Sequence, residues 1–172
     1  MRTSAWLLIV LSVFLTFSSF VPVQAQESVP DSPVVDNASA VALKWFALQR
    51  DIVRNTPGFT PATASRAFGY SSVVLHEAIA AGQLSGLGDL PQPESDAVYR
   101  WDAVANGALA EITRLMFPTG NGYRSAIIEL HAETAAPPYV WNTEEAIVLH
   151  RSDAFGRQIA HAVYDWSLAE GG

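Results

Sequence analysis

The chain of 172 residues contains no cysteine and a single lysine, Lys44. Without cysteine it can form neither a disulfide framework nor a lipoprotein anchor. Its ten basic side chains are outnumbered by seventeen acidic ones, which gives a formal net charge of −7 at pH 7. Because this balance repels nucleic acid and anionic membrane surfaces, we expect neither of them as a partner.

The N-terminus carries the features of an export signal. An almost wholly apolar stretch from Ala5 to Phe20 follows Arg2, and Val23-Gln24-Ala25 offers small residues at the spacing that signal peptidase reads. We therefore predict a cleaved secretory signal peptide at 1–25 and a periplasmic or secreted mature protein. The alternative is an uncleaved membrane anchor, but two serines and Pro22 shorten the apolar run below the ~20 residues of a spanning helix.

The rest of the chain predicts one all-α domain. Residues 26–37 contain two prolines and show no periodicity, so they are predicted to form a loose linker. Residues 38–172 suit one domain by length and show no strand pattern. The pattern predicts a bundle of about five helices, near 38–54, 60–82, 96–117, a shorter fourth between the Gly120–Gly122 turn and Pro137, and 142–170.

The second of these helices has the clearest signals. Thr60 can cap its first turn, and Pro61 occupies the first helical position, where its missing N–H costs nothing. Apolar and small residues line one side at helical spacing and fill much of the opposite side as well. This distribution predicts a central helix that is buried all round. Its main stripe consists of Ala64, Ala67, Phe68, Ser71, Val74, Leu75, Ala78 and Ile79.

The other long helices show narrower apolar stripes, and three tryptophans lie on them, which indicates packing rather than base stacking. The residues predicted to face inward are Val41, Trp45, Leu48 and Ile52 in the first helix, Val98, Trp101, Ala105, Leu109, Ile112 and Leu115 in the third, and Val148, Phe155, Ile159, Val163 and Trp166 in the fifth. Asn142 and Glu145 fit a capping box at the start of the fifth helix.

Three separated stretches resemble a known family. They are Thr60–Gly82, with SRAFGY followed by a His-Glu-Ala triplet, then Tyr99–Pro118, and Arg151–Gly172. In this order they are similar to the N-terminal helical region of bacterial vanadium-dependent haloperoxidase-like proteins, which belong to the type 2 phosphatidic acid phosphatase superfamily. The resemblance implies the N-terminal half of a larger α-helical enzyme that holds vanadate and oxidises halide with hydrogen peroxide, or hydrolyses phosphate esters.

The oxyanion-binding motifs of that family cannot be read in this chain. They are a Lys with a later Arg-Pro, a Ser-Gly-His, and a Ser-Arg followed by His. Lys44 is followed by Arg50 without a proline, there is no Ser-Gly-His, and Ser65-Arg66 is too far from His76. We therefore expect no catalytic residue, cofactor ligand or metal ligand in this chain. Vanadate is expected only in a complete family member, and the partner would be a missing C-terminal catalytic half.

Six side chains are candidate interface or structural polar groups: Arg66, His76, Glu77, His150, Arg157 and His161. His76 and Glu77 are interpreted as a buried structural pair. His150 and His161 share a helix face but lie about 16 Å apart at ~1.5 Å per residue, too far for one metal ion.

Ordinary surface pairs explain most other charges. Asp153 with Arg157, and His161 with Asp165, are spaced for pairing within the fifth helix. His131, with Glu129 and Glu133 on either side, is predicted to lie on a solvent face. The alternative for the polar face of the fifth helix is docking onto the missing half.

Two classes of function remain open from the sequence. In the first, the chain is the scaffold-forming front part of a secreted haloperoxidase-like enzyme, inactive alone. In the second, it is a non-catalytic periplasmic helical module that binds a small molecule or a partner protein. The final Glu170-Gly171-Gly172 favours the first class, since the family chain continues beyond this point. A front half with unpartnered apolar faces is also expected to self-associate into homo-oligomers.

Overall fold

The computed structural model describes residues 33–80, 87, 90–117, 122–135 and 142–169, with side chains described from residue 38 onward. Within these ranges all regular secondary structure is α-helical, which confirms the predicted all-α fold class. The helices are α1 (Pro33–Asn55), α2 (Pro61–Ala80), α3 (Trp101–Met116), α4 (Tyr123–Ala135) and α5 (Thr143–Ala169). The predicted signal peptide and most of the predicted linker lie outside the described residues. None of the described helices is long and apolar enough to cross a membrane.

The centre of the fold is α3, and the prediction that α2 is the central helix is wrong. Helix α3 packs against each of the other four helices. Every residue from Ala103 to Ala110 is buried, whereas α2 buries one face only and leaves Ile79 42% exposed. The run Ala103–Ala110 is rich in alanine and glycine, and such small side chains let neighbouring helices approach from several directions.

The closest approach is between α3 and α5. A Cβ atom added at Gly156 would collide with the carbonyl oxygen of Val104 and lie 2.8 Å from the backbone nitrogen of Ala108. One added at Gly107 would lie 2.5 Å from the carbonyl oxygen of Asp153 and 2.8 Å from its Oδ1. Both glycines therefore allow the two backbones to pack at a distance that no other residue permits.

Two helix starts agree with the local signals. The amide of Thr63 donates to Thr60 Oγ1 at 3.3 Å, which confirms the cap of α2. The amide of Glu145 donates to Asn142 Oδ1 at 2.7 Å at the start of α5. Helix α4 follows Gly122, whose φ of +86° is the backbone conformation that glycine adopts without strain.

Two other starts differ from the prediction. Helix α1 begins at Pro33 rather than near Ala38, because a proline at the first helical position loses no hydrogen bond. The last part of the predicted linker is therefore helical. Helix α3 begins at Trp101 rather than near Asp96, because Asp96 adopts a φ of +28° and Arg100 is extended. The prediction that Val98 faces inward is accordingly wrong, and that side chain is 66% exposed.

The predicted apolar stripes of α1 and α5 form much of the core. Trp45 and Ile52 of α1 are fully buried, and Phe155, Ile159 and Val163 of α5 are buried beside α3. Aromatic pairs close the ends of this core. The rings of Phe68 and Phe117 are 5.7 Å apart, those of Tyr99 and Phe155 5.2 Å, and those of Tyr70 and Trp166 5.8 Å. The interpretation of these tryptophans as packing residues is confirmed.

Candidate functional site

A buried polar network joins three helices around Asn106 of α3. The indole Nε1 of Trp45 in α1 donates to Asn106 Oδ1 at 2.8 Å. The Asn106 amide nitrogen donates to the carbonyl oxygen of His131 in α4 at 3.0 Å, and Thr134 Oγ1 donates to Asn106 Oδ1. Since the amide uses both its donor and its acceptor, its burial is compensated.

One turn of α1 further on, a second polar contact crosses the same helix pair. Gln49 Nε2 donates to Thr113 Oγ1 at 2.9 Å, and Thr113 Oγ1 donates in turn to the carbonyl oxygen of Leu109 at 2.6 Å. Both side chains are fully buried. Gln49 Oε1 has no hydrogen-bond partner in the part of the chain that the structure describes.

The strongest electrostatic contact of the network is made by Asp153 of α5. Its Oδ1 lies 2.6 Å from His131 Nε2, and its Oδ2 pairs with the guanidinium of Arg157. Burial acts to raise the pKa of the Asp153 carboxyl group, but the hydrogen bonds and charges of His131 and Arg157 outweigh it, so this pKa lies below its usual value. The prediction that His131 lies on a solvent face is therefore wrong, because its ring turns inward to Asp153.

Glu111 of α3 makes an arrangement of the same kind. Its Oε1 lies 3.3 Å from His161 Nε2, and its Oε2 accepts from Arg114 at 2.9 Å. The predicted partner of His161 was Asp165, but His161 contacts α3 instead. The predicted pair of Asp153 and Arg157 does form.

Asp153, His131 and Arg157 together form the Asp153 cluster. A cavity of about 310 Å³ lies beside it. Its polar lining consists of Asn106, His131, His150 and Asp153, and its apolar lining consists of Ala103, Ala135, Ala146 and Leu149. A His-Asp pair can serve in acid-base chemistry. Here, however, both oxygens of Asp153 are engaged and the lining supplies no serine, cysteine or lysine as a nucleophile. The arrangement is suited to holding α3, α4 and α5 together.

The six predicted polar residues are not brought together at one place. Arg157 belongs to the Asp153 cluster, His150 is exposed at the rim of the adjoining cavity, and His161 is bound to Glu111. Arg66 lies at the start of α2 and lines a different cavity. The interpretation of His76 and Glu77 as a buried pair is wrong for His76, which is exposed.

Glu77 is fully buried on the inner face of α2, beside the fully buried Val74 and Ala78. Neither carboxyl oxygen has a hydrogen-bond partner within the described residues. Burial of an acidic group without a partner costs several kcal/mol as a charge and about 1–3 kcal/mol as an unsatisfied polar group. Glu77 is therefore expected to lower the stability of the fold, and its two oxygens and Gln49 Oε1 are the buried side-chain atoms without a hydrogen-bond partner among the described residues.

Sequence reasoning missed the buried polar residues Asn106, Thr113 and Gln49. It also missed that His131 faces inward. A signal for the first three existed. Asn106 and Thr113 interrupt the apolar run of α3 seven residues apart, and Trp45 and Gln49 lie four apart on the stripe of α1. Polar residues on an apolar stripe at helical spacing indicate buried hydrogen bonds between two helices.

The described residues do not fit an oxyanion such as vanadate. That ligand needs several cations converging with a histidine. Here the two arginines that lie beside histidines, Arg114 and Arg157, are paired with the carboxylates of Glu111 and Asp153, and Arg66 lines a separate cavity. Among the residues described, no group of three or more histidine, aspartate or glutamate side chains is placed to hold a metal ion. In comparisons with known proteins, no family model, no curated protein and no solved structure matches this chain.

Proposed function

We propose that this chain is the scaffold-forming part of a secreted haloperoxidase-like protein, with no reaction centre among its described residues. The scaffold role rests on the contacts of two histidines and two arginines with half-buried carboxylates. Asp153 and Glu111 each bind one histidine and one arginine, so these side chains serve to tie helices rather than to bind substrate.

The location of the family-like stretches supports the same proposal. The segments Thr60–Gly82 and Tyr99–Pro118 contain α2 and α3, and Arg151–Gly172 contains α5 from Arg151 onward. These three helices pack against one another in the core. If this chain and the haloperoxidase-like proteins share a scaffold, the resemblance should fall on helices that pack together, because residues in contact constrain one another. The halide oxidation or phosphate-ester hydrolysis of the complete protein would then depend on groups supplied from outside these helices.

Sequencing the transcript downstream of the Gly172 codon is the first test. We expect an open frame that encodes the Lys with Arg-Pro and the Ser-Gly-His motif. The second test is a titration of the mature chain with orthovanadate, in which ⁵¹V NMR detects binding. We expect no tight binding to the mature chain, because the described arginines do not converge at one place. The extended product should bind vanadate tightly.

Two results would contradict the proposal. An immediate stop codon would favour the alternative, a non-catalytic helical module whose ligand must be sought separately. Vanadate-dependent bromide oxidation by the mature chain alone would show that the chain has a reaction centre of its own, which is incompatible with a purely scaffolding role.

A further inference from the structure

A second cavity, of about 450 Å³, lies where the start of α2 meets the ends of α3 and α5. This volume falls in the range of about 300–1,000 Å³ that is usual for small-molecule sites. Its lining includes Arg66, Tyr70, Met116, Tyr164, Ser167 and Leu168. It shares no lining residue with the Asp153 cluster or the cavity beside it.

The charge of this lining is of one sign. Among the described residues that line it, Arg66 is the single ionised side chain and none carries a carboxylate. In contrast, the cavity near the start of α5 is lined by Glu94, Asp96 and Glu144 together with Arg151. In a chain with a formal net charge of −7, a cavity with a cation and no acid is a local site for an anion.

Arg66 is also available to bind. Arg100, Arg114 and Arg157 each pair with a carboxylate, whereas within the described residues no carboxylate pairs with Arg66. Arg66 is exposed and lines the cavity, so its guanidinium donors remain accessible to a ligand. A guanidinium matches a carboxylate with two parallel hydrogen bonds, which adds geometric selectivity to the charge attraction.

The remaining walls combine apolar surface with a few hydroxyl groups, and two of their side chains are held in place. Tyr70 packs edge-on against Trp166, with the ring centroids 5.8 Å apart at 81°. Ser167 Oγ donates to the carbonyl oxygen of Tyr164 at 2.6 Å, which leaves this hydroxyl committed to its own helix. Leu168 is 53% exposed at the edge, an apolar surface that a ligand would cover.

We propose that this cavity binds a small organic carboxylate with an apolar body. The carboxylate pairs with Arg66 at the mouth, and the body lies against Tyr70, Met116 and Leu168. This binding site is independent of the proposed scaffold function, because it uses neither the histidine clusters nor any group from outside the described helices.

The test is a protein-observed NMR titration of the mature chain with 4-phenylbutyrate and, separately, with its neutral analogue 4-phenylbutan-1-ol. For a ligand of this size we expect a Kd on the order of 1 mM or tighter for the carboxylate. Shifted amides should lie at the start of α2 and the end of α5. The alcohol should bind about tenfold more weakly, because it lacks the charge that pairs with Arg66.

Arg66→Gln should weaken 4-phenylbutyrate about tenfold and leave the alcohol unchanged. Arg50→Gln is the matched control, since Arg50 is an exposed arginine of α1 that does not line the cavity. Leu168→Ser removes the apolar edge and should weaken both probes severalfold. Both Arg66 and Leu168 are exposed, so these variants should melt as the wild type does.

Three results would overturn the proposal. They are no saturable shift with 4-phenylbutyrate, equal affinities of the carboxylate and the alcohol, or shifts that lie away from α2 and α5. An Arg66→Gln variant that binds the carboxylate as the wild type does would overturn it as well.

Discussion

Asp153 links α5 to α4 through a contact that solvent screens little. The side chains of His131 and Asp153 are only 20% and 17% exposed, and the two atoms that join them are 2.6 Å apart. Gly107 leaves the room for this carboxylate, since its missing Cβ would lie 2.8 Å from Asp153 Oδ1. A single acidic side chain therefore depends on three helices for its position.

Replacing Asp153→Asn should lower the free energy of unfolding at pH 7 by about 1–3 kcal/mol, because His131 and Arg157 lose their common partner. The pKa of Asp153 in the folded state lies below the unfolded value of 3.8, so its contribution is present above pH 3.8 and is lost as the pH falls through the folded pKa. Urea unfolding at a series of pH values measures both effects.

In that series the difference between wild type and Asp153→Asn should shrink below pH 3.8. Asp165→Asn is the control, since Asp165 is exposed on the same helix. A difference that stays constant from pH 7 to pH 3 would refute the electrostatic role of Asp153.

Replacing Glu77 should raise the free energy of unfolding, in contrast to replacing Asp153. Glu77→Met keeps a long unbranched side chain and removes a fully buried carboxyl group whose oxygens lack partners in the described residues. We expect the free energy of unfolding to rise by about 1–3 kcal/mol, the cost of an unsatisfied buried polar group. Thermal and urea unfolding would measure the gain.

The control is Glu129→Met, at an exposed position of α4, where the effect should be near zero. Destabilisation by Glu77→Met, with no change from Glu129→Met, would mean that Glu77 has a partner that stabilises the fold.

At the scale of the elements, the contact between α3 and α5 can be tested by adding one methyl group. Gly156→Ala places a Cβ against the backbone of Val104 and Ala108, which cannot move away as a flexible side chain would. We expect a loss of about 1–3 kcal/mol in the free energy of unfolding. Circular dichroism during urea titration would measure it.

Gly69→Ala is a control with the opposite expected sign. An added Cβ at Gly69 of α2 meets nothing within 4 Å. Alanine in a helix interior should therefore stabilise by about 0.5–1 kcal/mol. If both variants changed stability in the same direction, the close packing of α3 on α5 would not be what Gly156 provides.

Helix existence and several boundaries could be predicted from sequence, because their causes are local. Thr60 and Asn142 cap the turns that immediately follow them, and Gly122 supplies the conformation that precedes α4. The start of α3 could not be predicted, because the apolar pattern of the helix extends back to Val98. The backbone at Asp96 is not helical, and Val98 is exposed. Periodicity reports which side chains are apolar, but not where the chain turns.

The arrangement of the helices depends on non-local contacts that hydrophobicity alone does not encode. Helix α2 is apolar on more than one side, yet α3 became the centre because its small residues admit four neighbours. The inward turn of His131 depends on Asp153, which is 22 residues away in sequence. Sequence reasoning placed both residues on surfaces, because each is polar and its partner was unknown.

At the scale of the whole molecule, apolar burial is unevenly shared among the helices. Helices α1, α2, α3 and α5 supply nearly all of the buried apolar residues, whereas α4 supplies Ile127. Tyr123 and Leu130 of α4 are only partly buried against the core. The other contacts of α4 include three polar ones: Lys44 to Glu133 at 2.7 Å, His131 to Asp153, and Asn106 to the backbone of His131.

This unequal attachment has a dynamic consequence. A helix held mainly by charges and hydrogen bonds can open while the apolar core of the other four stays closed, because its local opening exposes little apolar surface. The amides of α4 should then exchange with solvent deuterium by a local route, with lower protection factors than those of α3. After correction for the intrinsic exchange rate at each pH, acid should lower the protection factors of α4 first. We therefore expect a durable body of four helices from which α4 opens at lower free energy.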